Sequence, residues 1–116
     1  MTVYILGRVI FGAYFFYSGY KHFKDEKMLT GYAKSKGIPS PRMAVLLTGA
    51  MLLVGGLGLV LGRYMSQSAI LLLLFMIPTT FTMHAFWKVS DPMHRMNDSV
   101  AFAKNIGLIG ALLMIL

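Results

Sequence analysis

The sequence predicts an all-α fold: a polytopic membrane protein built as a four-transmembrane-helix bundle, with a short amphipathic interfacial helix between spans 1 and 2. Three observations carry that reading. Hydrophobic residues make up 57% of the chain and mean hydropathy is +0.68, while charged residues fall to 13%, against roughly 25% in soluble domains. Ala69 to Met83 runs for fifteen residues without a charge, too long for a strand and apolar on every face of a helix, as a membrane span requires. Other apolar runs of similar length stand beside it. The 116 residues therefore form a single domain with spans at about 3–20, 43–61, 69–86 and 99–116. Each is about 27 Å long at ~1.5 Å per residue, slightly short of a hydrocarbon core of ~30 Å, so the spans should stand nearly upright.

Span 1 is rich in aromatics from Tyr4 to Tyr20 and carries Arg8 about one and a half turns inside. An arginine at that depth either snorkels to the nearer surface or faces the bundle as a structural polar group. No positive charge precedes Arg8, and no small-x-small site follows the apolar run, which argues against a cleaved signal peptide. The connector that follows is basic. Within it Met28, Leu29, Tyr32 and Ala33 recur at helical spacing opposite Lys27, Lys34 and Lys36, the pattern of a helix lying on a membrane surface. Gly37-Ile38-Pro39-Ser40-Pro41 stops it.

Span 2 is uncharged and rich in glycine. Gly58 and Gly62 form a G-x-x-x-G pair, which marks a close-packing face within or between subunits. Gly62-Arg63-Tyr64 begins a tight turn. Span 3 contains Pro78, so a kink is expected, with the hydroxyls of Thr79, Thr80 and Thr82 covering freed carbonyls. His84 and Trp87 close this span and, at i and i+3, share a face. The next loop holds Asp91-Pro92 and ends at Asp98 or Ser99, either of which suits the N-cap of span 4. Lys104 and Asn105 lie more than a turn inside that span.

Charge and composition exclude several functions. There are no cysteines, hence no disulfide, thiolate or Cys-ligated metal chemistry. The formal charge of +7 sits in short connectors, where it signals topology and attraction to lipid headgroups and not nucleic-acid binding. The first and third connectors, with Lys104, hold nine of the eleven Lys and Arg residues. That bias puts them in the cytoplasm and both termini outside it. All four carboxylates fall in predicted loops, so no catalytic residues and no metal site are expected. Haem ligation by His22 and His84 is disfavoured because His22 is expected at a helix end.

With antiparallel spans, Ser18, Lys21, His84, Trp87, Lys104 and Asn105 converge at one end of the bundle. They predict an inward, cationic pocket for an anionic or carbonyl-bearing amphiphile such as a quinone or a lipid headgroup. The competing reading is a purely structural network of Ser18, His84 and Asn105, with Trp87 as an interface anchor and Lys21 snorkelling. The glycine faces suggest a homo-oligomer, a dimer in the simplest case.

Several segments, in order and spacing, resemble the DoxX family of small four-span membrane proteins over nearly the whole chain. They are Arg8 with Gly12, Ser18-Gly19-Tyr20-Lys21-His22-Phe23, Gly37-Ile38-Pro39-Ser40-Pro41, the glycine-rich second span, His84-Ala85-Phe86-Trp87 and Phe102-Ala103-Lys104-Asn105. The resemblance implies a bacterial or archaeal inner-membrane protein with a four-helix core, similar to the DoxD subunit of thiosulfate:quinone oxidoreductase. By analogy it favours a quinone-interacting subunit of a membrane oxidoreductase complex, with a redox partner subunit. The absence of cysteine argues against direct sulfur handling. A lipid- or small-solute-binding or transport protein, and a membrane assembly factor, stay open as alternatives.

Overall fold

The computed structural model describes residues 1–116. It contains five α-helices: α1 (Thr2–Lys24), α2 (Glu26–Ser35), α3 (Pro41–Leu61), α4 (Met65–Met83) and α5 (Pro92–Ile115), with a 3-10 turn at Phe86–Lys88 after α4. The helix ends follow from local chemistry. At the end of α2, Ile38 N–H bonds the Ala33 carbonyl at 3.1 Å and Gly37 N–H bonds Lys34 at 3.0 Å. This is a Schellman stop, with Gly37 at φ 79°. Gly62, at φ 70°, ends α3 the same way through Arg63 N–H to the Gly58 carbonyl at 3.1 Å. The tight turn into α4 expected at Gly62-Arg63-Tyr64 is present.

Two boundaries differ from the sequence reading in ways that matter for function. α5 begins at Pro92 instead of Ser99, because the Asp91 side chain accepts from His94 N–H at 3.0 Å and Pro92 occupies the first turn. Asp91 is the cap, and Asp98 lies inside the helix. α4 starts earlier than expected, at Met65, and stops at Met83. His84 leaves helical geometry (φ −116°, ψ 35°), and the chain turns so that Phe86 and Trp87 meet Phe102 edge-on, both at 5.5 Å. His84 and Trp87 therefore do not share a helical face. Pro78 does lie inside α4, but the Thr82 hydroxyl bonds the Pro78 carbonyl at 2.7 Å, and the Thr80 hydroxyl is buried without a partner.

Packing is led by α1 against α3. A β-carbon at Gly12 would stand 2.7 Å from the Gly56 carbonyl oxygen, and one at Gly19 would stand 2.7 Å from that of Gly49. The two pairs run antiparallel, and within each helix the glycines are two turns apart, the spacing of a left-handed crossing. The buried positions Val45, Gly49, Leu52, Gly56 and Leu59 of α3 alternate by four and three residues, as a seam of that kind requires. α4 packs on α3 with Gly55 against Leu72 and Gly58 against Ser68. The G-x-x-x-G pair thus serves contacts within the chain: Gly58 faces α4, and Gly62 faces Arg8. α5 packs on α4, and its buried residues are only Asp98, Asn105 and Leu112. The backbones of α1 and α5 pack against each other sparsely at most. The bundle is flat, 46 × 26 × 19 Å, about two helix diameters thick.

The outer surface is far more apolar than that of a soluble protein. Only 20 of 116 residues are buried, yet these include Ser68, Thr80, Asp98 and Asn105, while large apolar side chains cover the outside. Three segments, Pro41–Leu61, Met65–Lys88 and Pro92–Ile115, are long and apolar enough to cross a membrane.

The glycine seam makes a sharp stability prediction. A side chain at Gly56 would strike Phe16 N at 2.5 Å and the Gly12 carbonyl oxygen at 2.7 Å, both backbone atoms that cannot swing aside. Gly56→Ala should destabilise the detergent-solubilised protein by about 3 kcal/mol, whereas Gly107→Ala, which meets nothing within 4 Å, should leave its thermal midpoint unchanged or higher.

Candidate functional site

The polar end of the bundle holds a half-open cavity of about 440 Å³, lined by residues of all five helices. Its sides are apolar: Phe15, Leu29, Leu52, Phe75 and Met76 among others. α2 closes one side, with Leu29, Tyr32 and Ala33 along the wall. The helix predicted from its amphipathic pattern is present, and its apolar side serves as a roof over the cavity. α2 is tied to the end of α3 by Glu26 and Arg42, 2.8 Å apart, with Thr30 donating to the same carboxylate at 3.0 Å.

Four of the six expected residues line this cavity: Ser18 on α1, His84 after α4, and Lys104 and Asn105 on α5. Lys21 and Trp87 do not. Lys21 turns outward and pairs with Asp25 at 2.9 Å, and Trp87 stacks on Phe86 and Phe102 with 47% of its surface exposed. Lys104 is accordingly the single lysine or arginine in the wall. Its Nζ donates to the Tyr14 hydroxyl at 3.2 Å and lies 5.8 Å from the ring centre, bridging α5 to α1 where the two backbones stay apart. Arg8 sits at the opposite end of α1. Its guanidinium abuts Gly62 at the C-terminal end of α3, a favourable place for a cation, with the Tyr4 ring 5.8 Å away and Nε buried without a hydrogen-bond partner.

The structure adds residues the sequence reading left out. His22 lies in the last turn of α1, which runs to Lys24, yet its side chain faces the bundle and not the surface. Its Nδ1 meets the Val45 carbonyl at 3.0 Å and the Thr48 hydroxyl at 3.2 Å, and its ring lines the cavity. Ser18 and His22 are four residues apart, a same-face spacing that was readable. Asp98 corrects the expectation that every carboxylate lies in a loop. It is 7% exposed, two turns from Asn105 on the same face, and gathers three partners: Lys36 Nζ at 2.7 Å, the Tyr32 hydroxyl at 3.4 Å and His84 Nδ1 at 3.5 Å. This cluster ties the roof helix to α5 and to the His84 turn. Burial, and then the Asp98 charge, raise the Tyr32 phenol above its ordinary range, so it stays a donor at neutral pH.

Two predictions follow from these ion pairs. The Arg42 hydrogen bond, with that of Thr30, holds the Glu26 carboxyl below the usual range. What the pair contributes is therefore present above about pH 4.3, the ordinary glutamate value, and is lost as pH falls through the lower folded value. NMR titration should find the Glu26 midpoint below about 4.3, and Arg42→Gln should move it back up. For the buried cluster, Asp98→Ala strands Lys36 and should cost about 3 kcal/mol in thermal unfolding. Replacing both partners, Lys36→Met with Asp98→Leu, should recover most of that loss.

No curated protein and no solved structure matches this chain at a significant level. The DoxX family profile does match, over residues 3–85, which takes in α1 to α4, His84 and Ala85. With that match over more than half of its length, and with three helices suited to crossing a bilayer, this integral membrane protein belongs to the DoxX family.

Proposed function

We propose that the chain is a four-span inner-membrane protein that holds a quinone-type ring amphiphile in its cavity, as a quinone-interacting subunit of a membrane oxidoreductase complex. The observation that carries this reading is the cavity itself. It is a largely apolar cavity of about 440 Å³, within the range of roughly 300–1,000 Å³ typical of small-molecule sites, whose wall also carries imidazole, amide, hydroxyl and ammonium groups. Such a chamber fits a molecule with an apolar ring and tail and a few polar atoms. Lys104 would stabilise negative charge developing on a ring oxygen, Asn105 and Ser18 would orient it, and His84 would exchange hydrogen bonds with it.

α1 serves as the fourth span in this proposal. It is 23 residues long and packs along α3 through both glycine pairs, so it shares whatever depth α3 has. The 46 Å long axis matches a bilayer with its headgroups, about 40–45 Å. α2 then lies at the basic, cytoplasmic interface, with both termini on the other side. The alternative, an anionic lipid headgroup, is less well supported, because Lys21 faces away, Lys36 is neutralised by Asp98, and Lys104 alone supplies positive charge to the wall.

Purified protein in nanodiscs, titrated with a short-tailed benzoquinone and, without oxygen, with its hydroquinone, tests the proposal, read on whichever form binds tighter. His84→Ala and Lys104→Ala should each weaken binding about tenfold, with helix content unchanged, while Lys21→Ala and Trp87→Ala bind as the parent does. Parent-like affinity in both the His84 and Lys104 variants would sink the proposal. Native mass spectrometry that finds a retained anionic lipid, and no quinone, would favour the lipid-binding reading. No retained ligand together with a stable co-purifying protein would favour an assembly factor.

A further inference from the structure

The two cavity histidines are held in a way that restricts what they can do. A carbonyl oxygen only accepts, so the 3.0 Å contact between His22 Nδ1 and the Val45 carbonyl places the hydrogen on Nδ1. In the neutral ring the lone pair is then on Nε2. His84 is arranged alike by a different partner. Its Nδ1 is buried without a hydrogen bond, and the group facing it, an Asp98 carboxylate oxygen at 3.5 Å, can only accept, so charge draws the ring hydrogen to that nitrogen; Lys36 pairs with the same carboxylate at 2.7 Å. Neither Nε2 is hydrogen-bonded by any protein group, neither is among the buried unpartnered atoms, and both rings line the one cavity. The cavity thus offers two fixed acceptors, contributed by α1 and by the turn after α4. Asn105 and Ser18 can donate or accept. Lys104, the one obligate donor in the wall, gives one N–H to Tyr14 and keeps others for a ring oxygen in either oxidation state, so it does not tell the two apart.

We infer that this cavity selects the reduced, hydroxyl-bearing form of its ring ligand, a hydroquinone or related phenol, over the corresponding quinone. The inference rests on the ring-amphiphile reading given above and narrows it to one oxidation state. A quinone carbonyl brings a second acceptor up to each imidazole lone pair, whereas a ring hydroxyl donates to it. A site built to bond a hydroxyl rejects the analogue that lacks one, since its own polar groups are then left unpaired.

The test is equilibrium dialysis of the intact protein in nanodiscs, without oxygen, against a short-tailed hydroquinone, its quinone and a phenol paired with its methyl ether. The hydroquinone should bind about tenfold tighter than the quinone, and the phenol should bind tighter than its ether by a similar factor. His22→Asn and His84→Asn keep an N–H near the position of Nδ1 and remove the Nε2 lone pair. Each should erase most of that preference while thermal stability stays near the parent's. Equal affinity for the two oxidation states, or tighter quinone binding, overturns the inference and leaves the ring-amphiphile reading intact. No binding of any ring compound overturns both.

Discussion

The close approach of α1 and α3 governs the rest of the architecture. Around α3, which is long and apolar enough to cross a membrane, lipid would offer little hydrophobic force toward a neighbouring helix, so van der Waals contact between backbones has to supply it. Gly12 with Gly56 and Gly19 with Gly49 allow that contact at two levels. α1 packs extensively on α3 and, at most, sparsely on α5. The space left between α1 and α5 is part of the chamber, crossed by the long side chain of Lys104 to Tyr14. The chamber is thus a product of unequal helix spacing, tight on one side and wide on the other.

A second constraint organises the polar end. Asp98 is a buried acid within an apolar helix, and such a group persists only when it is paired and hydrogen-bonded. Its three partners come from the roof helix and from the turn after α4. The same carboxylate therefore secures α2 over the cavity and sets the orientation of the His84 ring. Structural cohesion and site chemistry meet at one residue. The Glu26–Arg42 pair at the other end of α2 anchors the roof to α3 but touches nothing in the cavity wall.

Much of the fold was readable from apolar run length, because a membrane helix must be apolar all round. Glycine punctuation located the ends of α2 and α3. The amphipathic stretch from Met28 to Ala33 identified α2, although that pattern does not say whether the apolar side faces lipid or roofs a chamber. Misreading the start of α5 had the larger cost. Treating Asp91-Pro92 as loop, when it is a cap and first turn, kept Asp98 out of the helix and hid the carboxylate that orients His84. His22 is indeed in the last turn of α1, but stopping that helix at Tyr20 hid that its ring faces inward. Trp87 and Lys21 illustrate the opposite error. Residue type and approximate depth matched a pocket, but a turn after Met83 and a local pair with Asp25 aimed them elsewhere. Depth can be read from position in a run; azimuth needs the helix boundaries to be right.

The spacing of the interior side chains of α5 has a consequence for how such a chain can vary. Asp98, Asn105 and Leu112 are seven residues apart, and they are all that this 24-residue helix buries. Elsewhere along the rod the requirement is little more than oiliness, which many side chains meet equally well. Identity on that helix is demanded at about every seventh letter, so two chains could share the architecture while agreeing at few aligned positions. Kinship among such proteins is better sought in the register of a narrow stripe than in the overall percentage of matching residues.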